Sequence, residues 1–264
     1  MSAHTEQQQA DPQRAQTADF GYQAVDPSEK AGLVGDVFRS VAGRYDLMND
    51  LMSFGAHRLW KRFAASQSAL RPGDTALDVA GGSGDMARRF ARQVRPDGGV
   101  VLTDINAAML AEGRNKMIDA GLVGNTAGNI GYALTDAEKL CFADDCFHCV
   151  SIAFGLRNVT HRQEALASLY RVTRPGGRLL LLEFARPLIP LLEKAYDWYS
   201  FGVIPKLGKR VAEDEESYRY LVESIRRYPD RQTVRGMMNR AGFEDIKIHN
   251  LSGGIVTLHI GFKY

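Results

Sequence analysis

The feature that most constrains this chain is a rhythm. From residue 75 to residue 184, short apolar runs alternate with segments of helical period, and Gly, Pro or Asp marks most of the junctions. The runs 75–79, 99–103, 130–134, 149–154 and 178–184 are short, with little polar alternation, which predicts strands buried on both faces. The intervening segments 85–94, 107–120 and 163–172 place apolar residues at helical spacings. Parallel strands need such crossovers. Further on, a helix at 232–241 precedes runs 246–251 and 255–262, separated by Ser252-Gly253-Gly254. That separation predicts a hairpin-type pairing. The expectation is an α/β fold, a Rossmann-like seven-stranded sheet, mostly parallel with the last strand antiparallel, and helices on both faces.

Residues 1–30 are polar, with Gln7, Gln8 and Gln9 in a row, and predict a flexible tail. Residues 31–264 predict a single domain. It opens on a helical lid over 34–70, whose stripe runs through Val37, Phe38, Val41, Tyr45 and Met48, and it carries a mainly helical insertion over 188–228. The formal charge of +2 implies no general polyanion-binding surface, which argues against a nucleic-acid partner. Three cysteines and no signal peptide point to a reducing, cytoplasmic setting. No apolar run approaches the roughly 20 residues that span a bilayer. Cys141, Cys146 and Cys149 have the spacing of iron–sulfur ligands but lack a fourth cysteine, so no metal is expected.

The chemistry concentrates in LDVAGGSGD, residues 77–85. Gly81, Gly82 and Gly84 let the backbone approach a ligand closely, and the helix that follows offers free N–H groups. The pattern Gly82-x-Gly84-x-x-Ala87 alone is weak, because short glycine patterns recur by chance. Asp104 ends the second strand, where a carboxylate accepts both hydroxyls of a ribose. Dehydrogenases share that logic. Asp78 tells against a pyrophosphate, which its charge would repel, and suits a cationic ligand such as the amino group and sulfonium of S-adenosylmethionine; capping of the next turn is the alternative. Asp136-Ala137-Glu138 follows the third strand, where a carboxylate accepts an adenine amino group or caps a turn.

The stretches VFRSVAGRYDLMNDLMSFGAHRLWKRF (37–63), LDVAGGSGD (77–85), TDINAAML (103–110), FGLRNVT (154–160), RVTRPGGRLLLLEF (171–184), AYDWYSFGVIP (195–205), DEESYRYLVESIRRYPD (214–230) and GGIVTLHIGFKY (253–264) carry a closer likeness. They resemble class I S-adenosylmethionine-dependent methyltransferases and, more narrowly, the C-methyltransferases of ubiquinone and menaquinone biosynthesis. The resemblance implies methylation of a ring carbon of a polyprenylated benzoquinol or of demethylmenaquinol. It places cofactor contacts on Ser83, Asp104, Asp136 and Ala137, and a substrate-side catalytic pair on Arg157 and Asn158. Departures from the family pattern fall at Ala153, where serine is frequent, and at Ser83, Cys141 and His148.

A ring carbon becomes nucleophilic when a neighbouring hydroxyl loses its proton. Arg157 stays protonated, so its expected part is to stabilise the oxyanion or to position a water, with Asn158 holding the ring oxygen. Pairing of Arg157 with a local carboxylate is the structural alternative. Tyr45, Met48 and Tyr196 are candidates for contact with the polyprenyl tail. Lys194, Lys206, Lys209 and Arg210 suggest peripheral contact with anionic lipid at the inner face of a membrane. Other quinone-biosynthesis enzymes or a second copy of the chain are possible partners. The competing readings are a non-catalytic cofactor-binding scaffold subunit of a quinone-synthesis complex, a methyltransferase acting on another small aromatic or on nucleic acid, and a dehydrogenase.

Overall fold

The computed structural model describes residues 17–41, 55–122, 129–188 and 215–264, with the isolated positions 50, 53 and 202. The candidate tail contacts Tyr45, Met48 and Tyr196, and the basic residues Lys194, Lys206, Lys209 and Arg210, lie outside the described residues.

A small ribbon, β1 (Ala18–Phe20) and β2 (Gln23–Val25), opens the described chain and leads into α1 (Pro27–Val41). Residues 18–30, read from composition as part of a flexible tail, are therefore structured, and the order begins well before Val34. The cause is partly local. Asp26 accepts the Ser28 N–H at 2.8 Å, Pro27 sits at the first helical position and Glu29 lies in the first turn. The remainder is tertiary: Phe20 stacks on Tyr220 at 4.3 Å, and the Tyr22 N–H donates to Glu223 at 3.0 Å.

Beyond α2 (His57–Ser66) come β3 (Thr75–Val79), α3 (Asp85–Val94), β4 (Gly99–Asp104), α4 (Ala107–Asp119), β5 (Asn129–Leu134), β6 (Phe147–Ala153), α5 (Arg162–Val172) and β7 (Thr173–Phe184). Then follow α6 (Glu215–Arg227), α7 (Arg231–Arg240), β8 (Glu244–Leu251) and β9 (Val256–Phe262). Seven strands form one sheet in the order β5-β4-β3-β6-β7-β9-β8. Only β9 runs against the rest, antiparallel to both β7 and β8.

The period of two along each strand divides the core. Ala76, Leu180 and Leu182 pack with Trp60, Ala64, Met86 and Phe90 of α2 and α3 on one face. Leu77, Leu179 and Leu181 pack with Leu166 and Leu169 of α5 and Met238 of α7 on the other. Helices therefore cover both faces, as the continuous apolar strands require.

Among the strands of the sheet, the largest boundary difference from the pattern lies at β7. Arg174-Pro175-Gly176-Gly177, which precedes the predicted strand 178–184, belongs to β7 as an irregular stretch within the strand. Phe147 pairs with Thr173 and Cys149 with Arg178, so the intervening residues bulge, with Gly176 at φ +79°. The Gly176 N–H donates to the Lys263 carbonyl at 2.7 Å, which holds the bulge against the C-terminal segment.

Candidate active site

The strand order reverses at β3, where the chain leaves β5 at one edge and returns to β6 on the other side. A crevice at the C-terminal ends of parallel strands is the expected consequence. A cavity of about 290 Å³ lies there, walled by the ends of β3, β4, β5 and β6 and roofed by α1. Of the candidate cofactor and catalytic residues, Gly82, Asp104, Asp136, Ala137 and Asn158 line it, with Phe38 and Glu138 beside them.

Asp104 is fixed by two backbone donors. Its Oδ2 accepts the Gly82 N–H at 3.0 Å and its Oδ1 the Asn106 N–H at 2.9 Å. Each oxygen has further acceptor capacity toward the cavity. Burial pushes the Asp104 carboxyl above the usual carboxylate range, and backbone hydrogen bonds from Asn106, Gly82 and Ile105 oppose that rise. Asn106 caps α4 through the N–H groups of Ala108 and Met109, and its Nδ2 donates to the Gly35 carbonyl at 3.1 Å. One side chain thus joins the strand end to the roof. Asp136 caps the short turn Ala137–Lys139 by accepting the Glu138 N–H at 2.9 Å. Ile105, 51% exposed, stands beside Asp104 at the cavity wall.

Asp78, Ser83 and Gly84 are not in that wall. Asp78 is buried, and its oxygens accept the Ala87 N–H at 3.0 Å and the Ser151 hydroxyl at 2.7 Å. Burial pushes its carboxyl up to about 6, against those two hydrogen bonds. Its observed partners belong to the fold, joining β3 to α3 and β6. Ser83 lines a separate depression with Asp85, Arg88 and Lys116. Gly84, at φ +80°, is the left-handed N-cap of α3, where a Cβ would strike the Met117 methyl.

The pair Arg157 and Asn158 separates in space. Both lie in the turn Leu156–Asn158, but Arg157 is turned inward. Its Nη1 donates to Glu183 Oε1 at 2.8 Å and to the Phe154 carbonyl, and its N–H reaches Glu183 Oε2 at 3.3 Å. The guanidinium also sits 5.6 Å from the centre of the Phe184 ring. Arg157 is therefore paired with a local carboxylate, the structural alternative, and it is not among the residues that line the cavity. Asn158 does face the cavity, and its Oδ1 accepts the Tyr220 hydroxyl at 3.0 Å.

Three contributors escaped the pattern reading: the N-terminal half of α1, Phe154 and Tyr220. For α1, the series Asp26-Pro27-Ser28-Glu29 is a helix-start signal that was available. Lys30 on α1 is buried and donates to the Val159 carbonyl at 3.2 Å. Among the described residues one potential metal-ligating group converges, Glu138, His161 and Glu164, with ligand atoms within 4.8 Å of one another. Glu138 is already engaged there by the His161 N–H at 2.8 Å and lies 2.9 Å from its Nδ1.

Dinucleotide-binding folds share the glycine turn and the strand-end carboxylate, but their sheet is all parallel. The antiparallel β9 set between β7 and β8 marks the other class, and the chain has the fold of the class I S-adenosylmethionine-dependent methyltransferases. Its fold is similar to that of an S-adenosylmethionine-dependent methyltransferase from Aquifex aeolicus (TM-score 0.56, 16% identity, 90% of this chain and 98% of that one). It is also similar to Haemonchus contortus phosphoethanolamine N-methyltransferase 2, solved with S-adenosylhomocysteine (TM-score 0.56, 15% identity, 77% of this chain and 52% of that one).

Sequence takes the assignment further. Residues 25–263 match the ubiE/COQ5 methyltransferase family. The ubiquinone/menaquinone biosynthesis C-methyltransferase UbiE of Pseudomonas paraeruginosa is 57% identical over 247 residues, covering 94% of this chain and 95% of that protein. The protein of the same description from Stutzerimonas stutzeri is 56% identical over 257 residues, covering 96% and 99%. The chain belongs to the ubiE/COQ5 methyltransferase family, and it is an S-adenosylmethionine-dependent C-methyltransferase.

The cavity suits that cofactor. The glycine-loop backbone at Gly82 and the Asp104 carboxylate meet at its wall, the pairing of loop and strand-end acid that suits a ribose. Asp136, Ala137 and the exposed side chain of Ile105 offer an acceptor and flat apolar contact to an adenine. A Cβ at Gly81 would meet Leu102 and, at 2.7 Å, Asp78 Oδ2, so the loop closes to this shape only with glycine.

Proposed function

We propose that the chain methylates a ring carbon of a polyprenylated quinol, a 2-methoxy-6-polyprenyl-1,4-benzoquinol, demethylmenaquinol or both, in ubiquinone and menaquinone biosynthesis. The observation that carries this reading is the near-full-length similarity to proteins described as ubiquinone/menaquinone biosynthesis C-methyltransferases. Bound S-adenosylmethionine supplies the electrophilic methyl group. The protein's share is to hold the ring, to favour loss of the hydroxyl proton that makes the ortho carbon nucleophilic, and to exclude water. Asn158, at the cavity wall, is the group suited to the ring oxygen. Arg157 acts through position, holding the Phe154 carbonyl and the turn that carries Asn158. Tyr45, Met48 and Tyr196 are proposed to meet the polyprenyl tail.

Transfer of isotopically labelled methyl under reducing conditions tests the reading, with a short-chain methoxy-benzoquinol, demethylmenaquinol, tRNA and no acceptor compared side by side. Label on a ring carbon is the expected result. Tight cofactor binding with no label on either quinol would leave the scaffold reading, and NADH binding would revive the dehydrogenase.

The tail of such a substrate resides in a bilayer, and among the described residues no helix is long and apolar enough to cross one. Peripheral contact at the cytoplasmic face of the membrane accordingly belongs to the proposal. Sedimentation with anionic vesicles at low salt checks it, and protein that stays in the supernatant counts against it.

A further inference from the structure

The hydrogen bond between α6 and the cavity wall has a chemical consequence. An asparagine amide presents either an acceptor or two donors, depending on which way it is turned. Among the described residues, the Tyr220 hydroxyl is the hydrogen-bond partner of the Asn158 side chain, and it engages Oδ1 at 3.0 Å. Tyr220 is itself held. It is 5% exposed, its ring stacks on Phe20 at 4.3 Å with 21° between the planes, and Arg157, Arg162 and Glu183 are the charged groups whose fields reach it.

We infer that Tyr220 is a positioning residue: by donating to Asn158 Oδ1 it turns the amide so that Nδ2, a donor, faces the cavity, and the cavity thereby favours the phenolate over the phenol form of its acceptor. The inference rests on the quinol reading above. A donor at this wall strengthens as negative charge develops on the ring oxygen, whereas an acceptor would oppose it. Burial pushes the Tyr220 hydroxyl up to about 12, so it remains a donor throughout the working pH range. The device also accounts for the structured ribbon. Phe20 lies outside the cavity, yet it fixes the ring that sets the amide.

Tyr220→Phe keeps the stack and removes only the hydroxyl. The expected result is a fall in kcat of about tenfold, a shift of the rising limb of the pH–kcat profile, which reports ionisation in the bound complex, to higher pH, and an unchanged Kd for S-adenosylmethionine. Tyr220→Phe combined with Asn158→Ala should be no slower than Asn158→Ala alone, because both act through one amide. Independent multiplication of the two effects would overturn the inference, as would a pH profile unmoved by Tyr220→Phe.

A second measurement needs no turnover. The absorbance of 4-nitrophenol titrated with the protein reads its ionisation in the cavity. Wild type should lower its apparent pKa and Tyr220→Phe should lower it less; equal curves would overturn the inference. If wild type methylates no quinol, the substrate reading fails, and the nitrophenol titration still judges Tyr220.

Discussion

The Arg157 guanidinium stands 2.8 Å from the Glu183 carboxylate, with 3% and 2% of the two side chains exposed. Removing one partner of a buried pair leaves the other charge uncompensated, at a cost of about 3–5 kcal/mol. Arg157→Ala should therefore lose stability by that order in urea denaturation, and lose activity with it. Arg157→Met with Glu183→Gln should regain much of the stability but little of the activity, because the Phe154 carbonyl loses its donor. Unchanged stability of Arg157→Ala would show that the pair is not structural.

Asp104 gathers the Gly82 and Asn106 N–H groups, and through Asn106 it is linked to the α1 roof. An amide at this position keeps the size but substitutes a donor for one acceptor. Hydrogen bonds to a charged group contribute about 1.5–3 kcal/mol. Asp104→Asn should weaken S-adenosylmethionine binding by roughly tenfold or more, read by calorimetry, while the near-ultraviolet circular dichroism stays native. Wild-type affinity in the variant would remove Asp104 from the cofactor site.

Asp78 predicts a pH dependence of stability. Its folded carboxyl titrates near 6, above the ordinary 3.8, because burial disfavours the anion. The folded state therefore holds more protons than the unfolded chain between those values, and stability falls as pH rises through that window, levelling off above it. The loss is at most about 3 kcal/mol. In Asp78→Asn this fall should disappear, since Ser151 can turn its hydroxyl to accept from an amide. Denaturation curves from pH 4 to pH 7 measure the difference between the two proteins; parallel profiles would exclude Asp78 as the source.

Lys30 gives the opposite sign. Burial, reinforced by Arg162, lowers its ammonium from 10.5 to about 8, although Asp19 and Glu138 oppose the fall. Between those values the unfolded chain holds the extra proton, so stability rises with pH. Hydrogen exchange of the α1 amides should slow across that window, after correction for intrinsic rates, and Lys30→Met should abolish the trend. An identical trend in Lys30→Met would assign the effect to another group.

The periodic elements are encoded locally in the chain. Thr75–Val79 and Asp85–Val94 are legible to the residue because strand and helix periods are short-range, set by the faces that residues two and three or four apart present. Crossover helices make the strands parallel, and parallel strands gather their C-terminal ends. Gly82, Asp104, Asp136 and Ala137 reach one cavity for that reason, without further instruction. Partners were a different matter. Asp78 meets Ser151 across 73 residues and Arg157 meets Glu183 across 26, because β6 lies between β3 and β7 in the sheet. Phe20 finds Tyr220 only once the ribbon and α6 have been brought together. A buried charge or an isolated aromatic ring in a polar segment states a need for a partner. Only the packed sheet and its helices decide which residue meets it, and so which of two adjacent residues, Arg157 or Asn158, faces the cavity.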